Sequence, residues 1–192
     1  MGRTQTFDTA EAVRSARAVF WRHGYEAASV PALEAATGLR RSSIYHAFGS
    51  KRGLFDAAVE SYLDEIVRPR LAPLTGTPNP DAVLDYLTGL REALERAGSV
   101  IAANGCLLIN AAGADIADDA AVRETITAYR AELGAAIGNG IRAHLADLPE
   151  ADAKRLTETV TALVVAAYAL ARVDTVSAVH SLDAALDLIG RA

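Results

Sequence analysis

Residues 40–51 read Arg-Arg-Ser-Ser-Ile-Tyr-His-Ala-Phe-Gly-Ser-Lys. On a helix, Ile44 and Phe48 share one face. The remaining surface then carries Arg41, Ser42, Ser43, Tyr45 and His46. All five can hydrogen-bond and none is acidic. Such a set suits the base-pair edges of a DNA major groove, which is wide enough to admit one helix. Arg41 falls in the first turn, the end of a recognition helix that reaches base edges. Its guanidinium can bond guanine O6 and N7 together. Ser42 is small enough to keep the approach to the DNA backbone close. Lys51 follows Ser50 at the start of the next helix, where first-turn N–H groups and the helix dipole favour a phosphate. Arg40, just before the recognition helix, is a further phosphate candidate. Ser29 both caps a helix and can donate to a phosphate.

A side-chain array of this kind works only if its helix is held from behind. Ser29, with Pro31 tolerated in the first turn, opens a short helix that ends at Gly38. Leu33 and Ala36 are its inward positions. A second short helix follows within a few residues, so the two form a helix-turn-helix. Upstream, Asp8-Thr9-Ala10-Glu11 has capping-box spacing and Phe7 can staple the entry. Val13, Ala16 and Phe20 continue at helical spacing, and Gly24 closes that helix. Downstream, Ser50 caps a fourth helix with the stripe Leu54, Phe55, Ala58, Val59, Tyr62 and Ile66, which Pro69 should stop.

The charge distribution agrees with this layout. The chain has 192 residues and a net charge of −5. Residues 1–53 hold eight Arg or Lys against four Asp or Glu, whereas residues 54–192 hold eleven against twenty. A basic head on an acidic body is what is expected if only the head meets phosphates. Arg3 is either a solvated tail or an arm that reaches a groove.

Several spaced motif residues point the same way at once: Phe20-Trp21-Arg22-His23-Gly24-Tyr25, Ser29-Val30, Ala36-Thr37-Gly38-Leu39, and Ile44-Tyr45-His46-Ala47-Phe48-Gly49-Ser50-Lys51. From about residue 10 to 60 the chain resembles the TetR family of bacterial transcriptional regulators. The resemblance implies an all-α homodimer of about nine helices. A three-helix DNA-binding head, residues 1–53, would carry the helix-turn-helix. A larger helical body, residues 54–192, would bind a small-molecule effector and dimerise. Double-stranded operator DNA is the implied macromolecular partner. The chain departs from the family pattern twice. Arg40 stands where a Ser or Thr often caps the recognition helix, and Gly53 replaces an acidic residue at the third position of the fourth helix.

Composition supports the helical reading. Alanine, the best helix former, supplies 41 residues. No Val/Ile/Thr alternation of strand type is sustained. Residues 69–80 hold four of the six prolines and read as a linker. Beyond it, helices are expected from about 79 to 98, at 105–112, from Asp118 or Asp119 to Leu145, from about 150 to 172, and from about 176 to 190, with Val176 in the last apolar stripe. The final two are alanine-rich and, by the resemblance, pair with their two-fold mates as a four-helix bundle. Tyr86, Asn104, Cys106, Asn110, Tyr129, His144 and Tyr168 are polar residues set among apolar ones that could orient an effector.

Other functions fit poorly. An apolar content of 51% excludes disorder. Cys106 is the only cysteine, which excludes an internal disulfide and a cysteine-based zinc site. No Lys, Arg or His lies within five residues of it to favour a thiolate. The rival reading on the same scaffold is a redox or electrophile sensor acting through Cys106. Histidines 23, 46, 144 and 180 are scattered, with no metal-ligand pair and no glycine-rich phosphate loop. No enzyme, cofactor, metal or membrane partner is therefore expected. The N-terminus lacks an apolar signal region, so the expected compartment is the cytoplasm.

Overall fold

The computed structural model describes residues 8–192. Arg3 and Phe7, with the roles considered above, lie outside those residues. Among the described residues every regular element is helical. The order is α1 (Thr9–Ala27), α2 (Val30–Thr37), α3 (Arg41–Phe48), α4 (Lys51–Tyr62), α5 (Arg68–Leu71), α6 (Ala82–Glu95), α7 (Val100–Asn104), α8 (Leu107–Ala112), α9 (Ala120–His144), α10 (Glu150–Leu170) and α11 (Thr175–Gly190). The chain divides into two compact units, one up to Ile66 and the other Val67–Ala192.

The first unit is built around aromatic edges. Asp8 caps α1 by accepting from the backbone N–H groups of Ala10 and Glu11. Gly24, at φ 78°, breaks the helical path near its end. Phe20, Leu33, Ile44, Leu54 and Phe55 are fully buried. Phe20 meets Phe55 edge-on at 5.2 Å and Trp21 meets Tyr62 edge-on at 4.9 Å. Each such pair adds about 0.5–1.5 kcal/mol beyond its buried area. Arg17 ties α1 to the end of α4 and the turn that follows it, donating to the Ser61 hydroxyl at 2.8 Å and to Glu65 at 3.0 Å. These bonds lie within the first compact unit. Two inward positions differ from expectation. Ala36 is exposed and Phe48 is only half-buried, because α2 and α3 are single short helices covered on one side.

Pro69 does not stop the fourth helix. After α4 the chain passes through a π-helical turn, Leu63–Val67, and resumes as α5 with Pro69 in its first turn. A proline lacks an N–H and clashes with the carbonyl four residues back. A wider i→i+5 turn changes that pairing locally, so the helical path survives. The linker is correspondingly shorter than 69–80, since Ala72–Leu74 forms a 3-10 turn.

In the second unit α10 and α11 pack on each other, α11 also packs on α6, and α10 on α9. Leu74, Leu87, Leu94, Leu108, Leu133, Ile137 and Ile141 form its fully buried core. Asp119 caps α9, and Asp174 caps α11 by accepting from Ser177. The most apolar stretch, Val100–Asp118, has a mean hydropathy of 1.5, but Gly105 interrupts it between α7 and α8. Val176 does not join the buried stripe of α11. It is 65% exposed, as is Val173 at 79%.

Candidate nucleic-acid interface and ligand cavity

The α2–turn–α3 unit is fixed by local hydrogen bonds. Ser29 Oγ accepts from Ala32 N at 3.2 Å, capping α2. Gly38 takes φ 69°, a left-handed turn that a side chain would resist. The Thr37 hydroxyl donates to Leu33 O at 2.7 Å and accepts from Leu39 N at 3.2 Å. Leu39 and Ile44 then bury from the turn and from α3. Arg40 occupies the cap position of α3 and its side chain makes no cap bond. The missing acceptor comes from α2: Glu34 Oε1 accepts from Arg41 N at 2.6 Å. A carboxylate at a helix N-terminus also meets the positive end of its dipole.

With its inner face held, α3 turns Arg41, Ser42, Tyr45 and His46 to solvent, and Arg40 beside them is exposed too. Ser43 is half-buried. The Arg41 guanidinium stacks over the Tyr45 ring, 5.3 Å from its centroid. At the start of α4, Ser50 accepts from Gly53 N at 3.0 Å. Lys51 is more restrained than its sequence position suggests. Its ammonium lies 4.5 Å over the Tyr25 ring and donates to Glu26 O at 3.4 Å. Burial lowers the Lys51 pKa, and the negative charge of Glu26 opposes that shift.

Gly53 has a second role besides ending the capping box. A Cβ there would stand 2.0 Å from the Phe48 carbonyl oxygen. The α3–α4 corner therefore depends on the absence of a side chain. Sequence reasoning missed this contact and also missed Glu34. For Glu34 a signal existed: an uncapped helix start at Arg40 preceded by one nearby acceptor.

Within the second unit, α5, α6, α7 and α10 line a cavity of about 380 Å³ that is open to solvent on one side. Tyr86 and Tyr168 line it together. Burial pushes the Tyr86 pKa up to about 12, against the opposing effects of a hydrogen bond with Tyr168 and the positive charge of Arg70. The Tyr86 phenol is therefore a neutral hydrogen-bonding group at neutral pH. Arg70 and Arg96 also border the space, and neither was singled out in the sequence. The other five candidates are placed differently. Cys106 is fully buried and its Sγ donates to the Tyr129 hydroxyl at 3.5 Å. Asn104 and Asn110 serve the α7–α8 turn, donating to Val100 O at 3.1 Å and to Asn104 O at 2.7 Å. His144 Nδ1 lies 2.9 Å from Pro80 O. Among the described residues no three His, Cys, Asp or Glu side chains are grouped to hold a metal ion.

Residues 12–58 match the profile of the bacterial regulatory proteins of the tetR family. Over nearly the whole chain, the fold is similar to that of the TetR family transcriptional regulator CifR, solved as a cysteine mutant with 26-bp double-strand operator DNA. The identity is 30% and the TM-score 0.79, covering 96% of this chain and 98% of that one. The chain belongs to the TetR family. A TetR transcriptional regulator from Chloroflexus aurantiacus is also similar, at 31% identity and TM-score 0.75, over 94% of this chain and 92% of that one. Among curated TetR-type proteins, the transcriptional repressor ComR of Escherichia coli K12 is 32% identical over 111 residues, 57% of this chain and 51% of the relative. The alignment thus spans about half the length of that relative. The matched profile covers α2, α3 and the corner at Gly53, so both departures from the TetR pattern fall inside the shared region. At each, neighbouring backbone or side chain compensates: Glu34 supplies the cap that Arg40 lacks, and Gly53 admits the Phe48 carbonyl.

Proposed function

We propose that this chain is a ligand-responsive transcriptional repressor that binds a near-palindromic operator as a homodimer. It is not an enzyme and acts in the cytoplasm. The observation that carries the reading is the outward, acid-free face of α3, Arg41, Ser42, Tyr45 and His46, on a helix pinned from behind by Leu39, Ile44 and the Glu34 cap. Residues 1–53 hold the DNA-binding elements. Arg41 reads a base edge, and Ser42, Ser43, Tyr45 and His46 contact the groove and its backbone. Arg40, Ser29 and Lys51 meet phosphates. The operator complex of the similar CifR supports this assignment.

Residues 54–192 bind the effector and dimerise. Val173, Val176 and Leu188 are exposed on and between the last two helices, the faces offered to a second copy. Pairing of two-fold mates sets the half-site separation, about one helical turn or a multiple of it. An effector in the cavity beside Tyr86 and Tyr168 favours a dimer whose recognition helices no longer meet successive grooves. The test is operator binding by Arg41→Ala. A loss confined to one base position, of about 1–3 kcal/mol, supports base readout. An equal loss on random DNA makes Arg41 a phosphate contact instead.

One observation favours a second reading. Cys106 is a fully buried thiol in the second unit, hydrogen-bonded to the Tyr129 hydroxyl, and the similar CifR was solved as a cysteine mutant. Release of operator by peroxide or a mild alkylator that disappears in Cys106→Ser would establish that thiol-gated alternative.

A further inference from the structure

We infer that the cavity beside Tyr86 and Tyr168 selects small aromatic carboxylic acids. The inference rests on that cavity being the effector site and adds the chemical class of the effector. Three features of the walls carry it.

The first is size and shape. A space of about 380 Å³ lies at the small end of ligand sites. It suits a ring with a short arm, on the order of 10–15 non-hydrogen atoms. Tyr86, Gly89, Leu90 and Ala93 lie on one face of α6, at spacings of three and four. Gly89 stands in mid-helix, where glycine costs about 1 kcal/mol relative to alanine. A Cβ added there would meet nothing within 4 Å. The glycine is therefore not required by packing, and its effect is to leave the helix backbone as a flat wall facing open space. Opposite polarity comes from the α7 and α10 sides, where buried Ile101 supplies an apolar contact and Tyr168 a hydroxyl.

The second feature is charge. Arg70 and Arg96 border the cavity against the single carboxylate of Asp85, leaving one net positive charge at the rim. Neither arginine has an ion-pair partner within 4.0 Å among the described residues, whereas Arg68 and Arg91 nearby in sequence are both paired with carboxylates. A guanidinium is matched to a planar two-oxygen anion, which it holds by two parallel hydrogen bonds.

The third is the polar point in the wall. The Tyr86 and Tyr168 side chains line the wall together, and Tyr168 partly offsets the burial that raises the Tyr86 pKa. Neutral phenols accept and donate without imposing a charge, so they accommodate a ring substituent or the arm of the acid. A cationic ligand would face two arginines at the rim.

The experiment uses the full-length protein, free and on its operator. Calorimetry with benzoate, phenylacetate and cinnamate is compared with benzamide, benzyl alcohol and benzylamine. At least one acid of the three should bind, about tenfold or more tighter than its neutral counterpart, with benzylamine weakest. Arg70→Gln and Arg96→Gln should each lower acid affinity while leaving amide affinity within about twofold. Both side chains are exposed, so folding is not at stake. Gly89→Leu fills the space and should remove binding of acid and amide alike, with circular dichroism confirming the fold. Absence of heat with all three acids, equal affinity for benzamide, or binding that survives Gly89→Leu would overturn the inference. Calorimetry without DNA keeps this result separate from the function: acid binding without operator release upholds the ligand class and refutes effector gating.

Discussion

Glu34 should control the start of the recognition helix although it does not belong to that helix. Its Oε1 takes the Arg41 N–H at 2.6 Å, in place of the acceptor that Arg40 cannot supply. Loss of an N-cap acceptor costs about 0.5–2 kcal/mol, towards the low end at an exposed position. Loss of a carboxylate at the positive end of a helix dipole costs a further 0.3–1 kcal/mol or so. Glu34→Ala should therefore lower the local stability of the first turn of α3 by about 1 kcal/mol. Glu34→Gln, which keeps an acceptor and loses the charge, should cost about half of that. The readout is native-state hydrogen exchange at residues 41–45. About 1 kcal/mol corresponds to exchange roughly fivefold faster. Operator affinity adds a second check with opposing contributions. Removing a negative charge near phosphates helps binding at low salt and little at high salt, while a frayed first turn weakens it at both. Glu34→Gln should bind operator slightly better than wild type at low salt, and Glu34→Ala worse at high salt. Exchange at residues 41–45 that is unchanged in Glu34→Ala would refute the capping argument.

Other consequences follow from single contacts. Gly53→Ala forces a Cβ against the Phe48 carbonyl and should destabilise the first unit by roughly 2 kcal/mol net of its better helix propensity, read by urea unfolding. Gly89→Ala enters open space in α6 and should instead raise Tm, by the equivalent of up to about 1 kcal/mol. Glu65 is held below the ordinary glutamate range chiefly by its hydrogen bond from Arg17, with Arg14 adding to it. Its folded pKa is depressed, so its contribution is present above the unfolded value and is lost as pH falls through the folded one. Glu65→Gln should thus be less stable than wild type near pH 7, by under about 1 kcal/mol at this largely exposed site, and the two should converge below about pH 4. Cys106→Ser should leave operator binding and effector release nearly intact in a gel shift, because serine keeps a donor for Tyr129. Loss of release in the folded variant would favour thiol gating.

The first 60 residues were largely legible because their signals are local. Ser29, Gly38 and Ser50 mark helix ends by side-chain chemistry that acts within four residues. The polar face of α3 follows from periodicity alone. What could not be read there was the contact between elements: Glu34 reaching Arg41 seven residues away, and Lys51 at the start of α4 settling on Tyr25 of α1. The body was legible as helices but not as a cavity. Tyr86 and Tyr168 were found as polar residues in apolar stripes, yet Asn104 and Asn110 carry the same signature and bond only to backbone. Arg70 and Arg96 stood in stretches that read as a linker and a helix end, where an arginine has no pattern to violate. Pro69 misled because the cost of a proline can be absorbed by a π turn, which leaves no mark in sequence.

We propose that a pair of α3 helices reads a two-fold DNA site. Footprinting of the full-length protein on the DNA upstream of its own gene tests it most directly, with a scrambled duplex as competitor. Two protected half-sites of related sequence are expected, their centres separated by about one helical turn or a multiple of it, with affinity at least about a thousandfold above the scrambled duplex. A single asymmetric footprint, or equal affinity for scrambled DNA, would contradict it.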